Sequence, residues 1–301
     1  MNDSVKKMLV DAFGKRVVFD ASAKDFTTFK TGGLLSAVVF PSKKEEIEFL
    51  FELEKKGTDV KFIGCGSNLL ISDCGFDGVI AVTEKISGIS LSENFISGYC
   101  GAKISFLMGF CIKHSLGGLE FLSGIPGTLG GALVNNAGIK ETSISDIVYI
   151  IQYMDKSGHW TVANKPEISW DYRYSQLKGK AFFVLSCFLR AEKKSKEEVK
   201  KKISAILKQR KEKQPLEYPS AGSVFKNPPG FFAGKLIEEA GLKGFRIGGA
   251  MVSEKHANFI INTGNASSSD VWNLIRYIQK KVNSRYNILL KPEIELIGRF
   301  T

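Results

Sequence analysis

Hydrophobic and polar positions along the chain follow two periods, and each period predicts a different kind of element. Apolar residues recur every three to four positions over 104–114 and 270–285, which predicts two helices. Ser42 and Glu45 have the spacing of a capping box and predict the start of another helix. Short apolar runs predict strands at 37–40, 60–63, 78–82, 95–100, 144–155, 181–190 and 293–297. Helices and strands mixed in this way predict an α+β chain.

Composition narrows the class of protein. The chain has 301 residues, of which 44% are hydrophobic and 24% charged, as in a soluble globular protein of about two domains. Its longest apolar stretch, 181–189, is far shorter than the roughly 20 residues that cross a bilayer, and charges interrupt the N-terminal residues. We therefore expect neither a membrane partner nor a secretory signal. Three histidines argue against a His-rich metal site, and no metal is expected.

Cysteine usage indicates the compartment. The chain has an odd number of cysteines, and no two of them form a Cys-x-x-Cys pair; they are Cys65, Cys74, Cys100, Cys111 and Cys187. This pattern is typical of free thiols in a reducing compartment rather than of a disulfide framework or a zinc site. The sequence therefore predicts a cytoplasmic protein.

The charge balance is strongly basic and has two interpretations. There are 42 Lys and Arg residues against 31 Asp and Glu, a formal net charge of +11, which suits either nucleic acid or ligands with several phosphates. The densest basic segment, 192–213, has apolar residues at helical spacing after a capping box of Ser195 and Glu198. It therefore resembles an amphipathic helix with a solvated basic face, and a domain boundary is expected near 195–215. No nucleic-acid-binding motif accompanies it, so nucleic-acid binding is the less favoured alternative.

Glycine is concentrated in one part of the chain. Half of the 30 glycines fall between Gly64 and Gly138. Because glycine costs conformational entropy on folding, such enrichment needs a reason. Tight hairpin turns are one explanation and close approach of the backbone to a ligand is another, and we favour both together.

The first glycine-rich motif is Gly64-Cys65-Gly66-Ser67-Asn68-Leu69-Leu70, which follows a predicted strand. It is not a dinucleotide-binding fingerprint, because Leu69 stands where the third glycine belongs. Successive backbone N–H groups and the Ser-Asn side chains could still form a nest for a pyrophosphate, although an ordinary strand turn explains the motif equally well.

The second glycine-rich motif runs from Gly124 to Ala132 and continues to Gly138. Pro126-Gly127 predicts a turn, Thr128 is a candidate cap, and the small residues after it permit close approach to a ligand or close helix–strand packing. Two such turns in one domain favour a large diphosphate cofactor over packing alone.

Three polar residues lie in motifs that are not decisive by themselves. Arg173 lies among aromatic residues in YRYS, where a surface position is the simplest interpretation. Ser223 follows Gly222 but has no glycine after it, so it is not a hydrolase nucleophile elbow. Glu293 lies between Pro292 and an apolar strand.

Taken together, these motifs resemble the UDP-N-acetylenolpyruvoylglucosamine reductase (MurB) family of flavoenzymes. The resemblance runs from 28–33 to 292–298, and its order and spacing match. Its most specific blocks are GCGSNLL (64–70), EFLSGIPGTLGGALVNNAG (120–138), YRYS (172–175), AGSVFKNP (221–228), AGKLIEEAGLKG (233–244) and KHANFIIN (255–262).

The resemblance implies a fold and a domain plan. The fold is α+β, with an FAD-binding fold of the vanillyl-alcohol-oxidase (PCMH) type in two subdomains and a C-terminal α+β substrate-binding domain. The implied domains are 1–82 together with the strand 293–301, then 83–205, then 206–292 for the substrate.

The resemblance also implies an activity: NADPH-dependent, FAD-mediated reduction of UDP-N-acetylglucosamine enolpyruvate to UDP-N-acetylmuramate in peptidoglycan synthesis, by a monomer. A related FAD-dependent oxidase of a small hydroxylated substrate is the alternative. The implied catalytic residues are Arg173, Ser223 and Glu293. FAD, held noncovalently, would be bound by Gly64, Cys65, Gly66, Ser67, Asn68, Leu69, Gly124, Ile125, Pro126, Gly127, Thr128, Gly131, Ala132 and Asn136. Substrate would be bound by Tyr172, Arg210, Lys213, Lys226 and Asn227.

Two departures from the family pattern matter. Ile139-Lys140 replaces the usual small-aromatic-glycine continuation after Asn-Ala-Gly. The interval between Arg173 and Ser223 is short, which resembles the subclass that lacks an extra tyrosine-bearing loop.

Overall fold

The computed structural model describes residues 1–93, 95–139, 141–179 and 182–300. The chain forms two compact units. The first unit comprises Met1–Val18, Val38–Cys65 and Gly78–Arg210, and the second comprises Phe19–Ala37, Gly66–Asp77 and Lys211–Thr301.

Helices and strands both recur along the described residues. The α-helices are α1 (Asp3–Phe13), α2 (Lys44–Lys55), α3 (Ile104–His114), α4 (Leu129–Val134), α5 (Ile144–Ile147), α6 (Lys196–Lys213), α7 (Ala233–Glu239) and α8 (Ser268–Tyr286). The strands are β1 (Val17–Ser22), β2 (Leu34–Val39), β3 (Val60–Ile63), β4 (Leu69–Ile71), β5 (Phe76–Val82), β6 (Ile89–Ser92), β7 (Phe95–Tyr99), β8 (Leu116–Gly117), β9 (Val148–Met154), β10 (Trp160–Asn164), β11 (Trp170–Asp171), β12 (Tyr174–Ser175), β13 (Phe183–Arg190), β14 (Glu192–Lys193), β15 (Arg246–Ile247), β16 (Ala250–Val252), β17 (Ile260–Asn262) and β18 (Glu295–Ile297).

The first unit is built around a five-stranded sheet in the order β10-β9-β13-β7-β6, whose neighbouring strands are all antiparallel. Helices α3 and α4 contribute Leu107, Leu129 and Leu133 to the core that covers this sheet. Strands β3 and β5 add a parallel pair over 60–63 and 79–82. The turn 64–66 begins directly where β3 ends.

The second unit has a smaller sheet and one long helix. Strands β15, β16 and β17 form an antiparallel sheet, and β18 pairs in parallel with β4. Helix α8 buries Val271, Leu274 and Ile278 in the core of this unit, as its apolar period predicts. Ser267 and Asp270 form a capping box that fixes the first turn of α8.

Most predicted elements are confirmed, and the differences have local causes. The strand at 60–63 and the helix at 104–114 are present as predicted. The prediction of a strand throughout 144–155 is wrong at its start, because Ser143 and Asp146 form a capping box for the helical turn of α5. The strand predicted at 181–190 is observed from Phe183, and Ala181 lies outside the described residues.

Of the two predicted capping boxes, one is confirmed and one is wrong. Ser195 and Glu198 exchange the expected hydrogen bonds at the start of α6, which confirms that capping box. Ser42 and Glu45 do not form one: the Ser42 N–H donates to Glu46 at 2.7 Å, and α2 begins at Lys44. The described residues contain no helix that is long and apolar enough to cross a bilayer. Over the same residues, no group of three or more His, Cys, Asp or Glu side chains could hold a metal ion.

Candidate active site

One residue of the first glycine-rich motif lies against the second motif within the first unit. A Cβ atom placed on Gly64 would lie 2.4 Å from the Oγ1 atom of Thr128, so only glycine permits this approach. Gly64 directly follows β3, and Thr128 caps α4 by accepting a hydrogen bond from the Gly131 N–H at 3.4 Å. The rest of the first motif, 66–70, belongs to the second unit. Gly124 and Pro126, in the second motif, are exposed, so the backbone of Gly124 is accessible.

A buried hydroxyl lies directly before the second turn. Ser123 is 1% exposed, and its Oγ atom has no hydrogen-bond partner among the described residues. A buried polar atom without a partner is costly, which makes such an atom a mark of a missing ligand or water. Burial raises the pKa of the Cys65 thiol in the first turn, so this thiol stays protonated near neutral pH.

Arg173 occupies the tip of a hairpin. Strands β11 and β12 pair Asp171 with Tyr174, which leaves Tyr172 and Arg173 as a two-residue loop. The φ angle of Arg173 is +54°, a left-handed conformation that costs a non-glycine residue about 1 kcal/mol. Its guanidinium donates to the Gly138 carbonyl at 2.8 Å and lies 5.1 Å from the ring centroid of Tyr172.

The segment after α4 holds this hairpin. The Asn136 Nδ2 group donates to the Asp171 carbonyl at 2.9 Å, and its Oδ1 atom accepts from the Ser145 N–H at 3.2 Å. The Ser175 hydroxyl donates to the Val134 carbonyl at 2.9 Å. The Asn136 side chain, predicted to bind cofactor, therefore uses its donor to fix the hairpin that carries Arg173 and its acceptor to hold the start of α5.

A second arginine faces the same region of the first unit. Arg210, near the end of α6, donates to the Gly124 carbonyl at 3.4 Å, and a Cβ atom on Gly124 would lie 2.7 Å from Arg210 Cδ. Burial lowers the pKa of Arg210, and the nearby positive charge of Arg173 lowers it further. Two guanidiniums close enough to oppose each other's charge form a favourable place for an anion.

In the second unit, Ser223 and Glu293 lie on adjacent segments. The Glu293 N–H donates to the Val224 carbonyl at 2.7 Å, and Phe225 pairs with Pro292. Asn68 holds the other side of the same peptide, because its Nδ2 group donates to the Glu293 carbonyl at 3.2 Å. Both backbone groups of Glu293 are therefore fixed, one of them by a residue predicted to bind cofactor.

The remaining predicted substrate-binding residues are placed at accessible positions. Lys213 is the last residue of α6 and is exposed, as is Asn227. The Asn227 Oδ1 atom accepts from the Ala233 N–H at the start of α7, at 2.9 Å. Lys226 is half-buried and two residues beyond Val224.

Comparison with known proteins identifies the family. Residues 35–164 match the model of an FAD binding domain, and residues 214–297 match that of the UDP-N-acetylenolpyruvoylglucosamine reductase C-terminal domain. A curated UDP-N-acetylenolpyruvoylglucosamine reductase from Caldanaerobacter subterraneus subsp. tengcongensis is 42% identical over 297 residues, covering 98% of this chain and 97% of the relative. This chain belongs to the UDP-N-acetylenolpyruvoylglucosamine reductase family.

Further relatives support this family assignment. The reductase from Caldicellulosiruptor saccharolyticus is 44% identical over 284 residues, which are 93% of this chain and 92% of that protein. The crystal structure of the reductase from Thermus caldophilus superposes with a TM-score of 0.81 at 31% identity, covering 94% of this chain and 98% of that one. The predicted family, the α+β flavin-binding fold and FAD as cofactor are thereby confirmed.

The residues present fit FAD. Gly64 and Thr128 approach each other, Gly124 in the second motif is exposed, and the Ser123 hydroxyl, which has no partner among the described residues, lies directly before that motif. The prediction that this region holds the pyrophosphate and flavin is compatible with these features.

Sequence reasoning missed one residue of the second unit. Asn258 lies in the block KHANFIIN and bonds to the backbone after Ser223. Burial lowers the pKa of His256, whose Nδ1 atom accepts from the Asn258 N–H at 3.2 Å. An asparagine between Ala257 and Phe259 was the available signal, because a buried amide needs partners for its donor and its acceptor.

Proposed function

We propose that this chain reduces the enolpyruvyl group of UDP-N-acetylglucosamine enolpyruvate to give UDP-N-acetylmuramate, with FAD held noncovalently and NADPH as the reductant. Family membership supports the flavin-dependent reductase activity and its place in peptidoglycan synthesis. The structural observation that supports it most directly is that Arg173 and Arg210, whose positive charges oppose each other, lie in the unit that contains the second glycine-rich motif, where Arg210 donates to the Gly124 carbonyl. A substrate that carries a carboxylate and a diphosphate supplies the anions that such a pair needs.

Arg173 would stabilise the charge that develops on the substrate. Bound FAD supplies hydride, which NADPH replenishes. Addition of hydride to the methylene carbon of the enolpyruvyl group places negative charge on the adjacent carbon and its carboxylate. A guanidinium is permanently charged and forked, so it can bind both carboxylate oxygens at once. Because the Arg173 loop is held by Asn136 and Ser175, the guanidinium is oriented before the charge appears.

Ser223 would then donate a proton to the carbon that carries this charge. A serine hydroxyl is a weak acid, so a neighbouring cation must polarise it; Lys226 and Lys213 are the candidates. Glu293, whose backbone is fixed beside that of Val224, would contribute to stabilising the developing charge. Tyr172, Arg210, Lys226 and Asn227 would bind the substrate together with Lys213.

The domain plan follows the same roles. We propose that residues 1–82 with 293–301 and residues 83–205 hold FAD, and that 206–292 receive the substrate. This plan is supported by the two family models, which match 35–164 and 214–297. The structure divides the chain differently along its length, since the first unit runs to Arg210.

We also propose that the protein acts as a cytoplasmic monomer without a nucleic-acid or membrane partner. The five cysteines are free thiols, as is usual in a reducing compartment. Light scattering of the purified protein measures the oligomeric state, and a dimer would contradict this part of the proposal.

The decisive test is an anaerobic assay of the FAD-loaded protein. NADPH oxidation should depend strictly on added UDP-N-acetylglucosamine enolpyruvate and should yield UDP-N-acetylmuramate, identified by mass spectrometry. Absence of this NADPH oxidation, together with oxygen consumption on a small hydroxylated substrate in a parallel aerobic assay, would instead identify the related oxidase and overturn the proposal. The control omits the sugar nucleotide and keeps every other component.

A further inference from the structure

Asn258 binds one backbone residue with both ends of its amide. It is 5% exposed; its Oδ1 atom accepts from the Phe225 N–H at 3.0 Å, and its Nδ2 group donates to the Phe225 carbonyl at 2.8 Å. The Asn258 backbone carbonyl accepts from the Val224 N–H at 2.8 Å. Three hydrogen bonds from one residue therefore hold the two residues that directly follow Ser223.

These bonds hold a segment that does not form a regular sheet ladder. Ser223 pairs with Phe259 as an isolated bridge, and no longer ladder continues along this segment. On the other side of Ser223, Gly222 has a φ of +75° and no atom within 4 Å of a Cβ built on it. Before Ser223, the Pro219 carbonyl accepts from the Asn262 N–H at 2.9 Å; after it, the Asn258 side chain supplies two of the bonds that anchor the segment.

The same segment carries Glu293. The Val224 carbonyl accepts from the Glu293 N–H at 2.7 Å, and the Lys226 N–H donates to the Lys291 carbonyl at 2.9 Å. A shift of Val224 and Phe225 would therefore move the backbone on which both the hydroxyl and the carboxyl depend. An apolar residue could fill the volume of Asn258, but it would leave a buried N–H and a buried carbonyl of Phe225 without this partner.

We propose that Asn258 is a positioning residue for proton donation by Ser223, an inference that rests on the proposed reductase function. It touches neither substrate nor cofactor in this role and acts through the backbone of Val224 and Phe225. Removing its amide should impair the half-reaction in which the enolpyruvyl substrate is reduced, and leave the reduction of bound FAD by NADPH intact.

The test compares Asn258→Ala with a matched control, Asn262→Ala, in the FAD-loaded full chain. Asn262 is 3% exposed and also uses its amide on backbone, donating to the Phe29 carbonyl at 2.9 Å and accepting from the Gly264 N–H at 2.8 Å. Stopped-flow absorbance measures each half-reaction separately. For Asn258→Ala we expect flavin reoxidation by substrate to slow about 10- to 100-fold, as misplacement of a reacting group typically does, with flavin reduction by NADPH changed less than about twofold.

A second measurement does not depend on activity. Hydrogen exchange followed by mass spectrometry should show faster exchange in peptides that cover 221–228 for Asn258→Ala, because the Phe225 N–H loses its acceptor. Asn262→Ala should leave exchange of 221–228 and both half-reactions unchanged, even if it lowers the melting temperature equally. If Asn258→Ala does not fold, Asn258→Ser, which leaves a smaller cavity, should show the same separation of half-reactions with a smaller loss.

The outcomes separate the inference from the function on which it rests. Wild-type protein whose reduced flavin is not reoxidised by the enolpyruvyl sugar nucleotide would contradict the proposed function itself. Wild-type protein that is active, combined with Asn258 variants that slow both half-reactions equally or neither, would overturn the role of Asn258 alone.

Discussion

The two compact units hold their candidate residues by different physical means. In the first unit, the guanidiniums of Arg173 and Arg210 donate hydrogen bonds to the backbone carbonyls of Gly138 and Gly124. The positive charge of Arg173 lowers the pKa of Arg210. In the second, Ser223 and Glu293 are set by backbone hydrogen bonds and by the neutral amides of two asparagines.

This difference separates two requirements of the proposed chemistry. Because the positive charge of Arg173 lowers the pKa of Arg210, we expect a bound carboxylate or phosphate to relieve the repulsion between the two guanidiniums. A hydroxyl that donates a proton needs position rather than charge, and hydrogen bonds to neutral amides provide position without adding a net charge. Substitutions in the first unit should therefore act on charge stabilisation, and those in the second on geometry.

The largest effect is expected in the second unit. Ser223→Ala removes the proposed proton donor and should slow flavin reoxidation by the enolpyruvyl substrate about 10³-fold, within the usual range for general acid catalysis. Flavin reduction by NADPH should be unchanged, since no proton donation to the substrate carbon is involved. Stopped-flow absorbance measures both steps, and Ser284→Ala on α8, whose hydroxyl bonds only to a nearby helical carbonyl in this structure, is the control. Equal loss of both half-reactions would remove Ser223 from this role.

Arg173→Lys should give the next largest effect, about 10²-fold in turnover with substrate, because an ammonium cannot bind two carboxylate oxygens in a fork. Arg190→Lys is a matched control in the same unit: its guanidinium lies 5.1 Å from the ring centroid of Tyr149, the distance that Arg173 keeps from Tyr172. The control should retain full turnover. Steady-state kinetics measure the turnover of both variants. A lysine variant with unchanged turnover would show that charge alone suffices at position 173.

Sequence reasoning predicted local features of the fold better than contacts between distant segments. The strand 60–63 and the helix 104–114 follow from short apolar runs and a helical period, which depend only on neighbours in sequence. The capping box predicted for Ser42 and Glu45 was wrong because Glu46 folds back instead, and the capping box of Ser143 and Asp146 was not predicted.

In the candidate site, too, local features were predicted and contacts between distant segments were not. The glycine motifs were recognised because glycine marks close approach, and Gly64 does approach Thr128 closely. The positioning bonds of Asn136, Asn68 and Asn258 were not found, since each joins segments between 33 and 225 residues apart, and a single sequence carries no record of such pairing. The reading of Asn68 and Asn136 as cofactor ligands remains a prediction.

Glu46→Gln tests how much a buried charge of the first unit, outside the candidate site, contributes to the stability of the protein. The Glu46 carboxylate is buried and accepts from the Arg16 guanidinium and from the Ser42 N–H. Burial opposes its charge, but these bonds outweigh burial and lower its pKa. Because Arg16 is 33% exposed, we expect the substitution to reduce the free energy of unfolding by about 2 kcal/mol, below the range for a fully buried pair.

The sign of the pH dependence follows from the lowered pKa of Glu46. A carboxyl whose folded-state pKa lies below its unfolded value stabilises the protein above the unfolded pKa, about 4.3, and loses that contribution as pH falls through the folded value. Urea unfolding at neutral pH should therefore show the full difference between wild type and Glu46→Gln, and the difference should shrink in acid. Glu52→Gln, in the exposed pair with Lys55 on the same helix, should change stability little at any pH.

The smallest effect is expected for Asp73→Asn in the second unit, where one exposed carboxylate caps the start of α8. Asp73 accepts from the Ser268 N–H at 2.8 Å and from the N–H and hydroxyl of Ser269, each at 2.7 Å. Burial opposes its charge, yet these bonds lower its pKa, so its contribution is present above about pH 3.9 and is lost below it. Asparagine keeps one acceptor without the charge, and we expect a loss of about 1 kcal/mol at neutral pH, measured by urea unfolding. Asp25→Asn, exposed in the same unit, is the control. A loss at Asp73 as large as that at Glu46 would mean that the second unit depends on charge as much as the first.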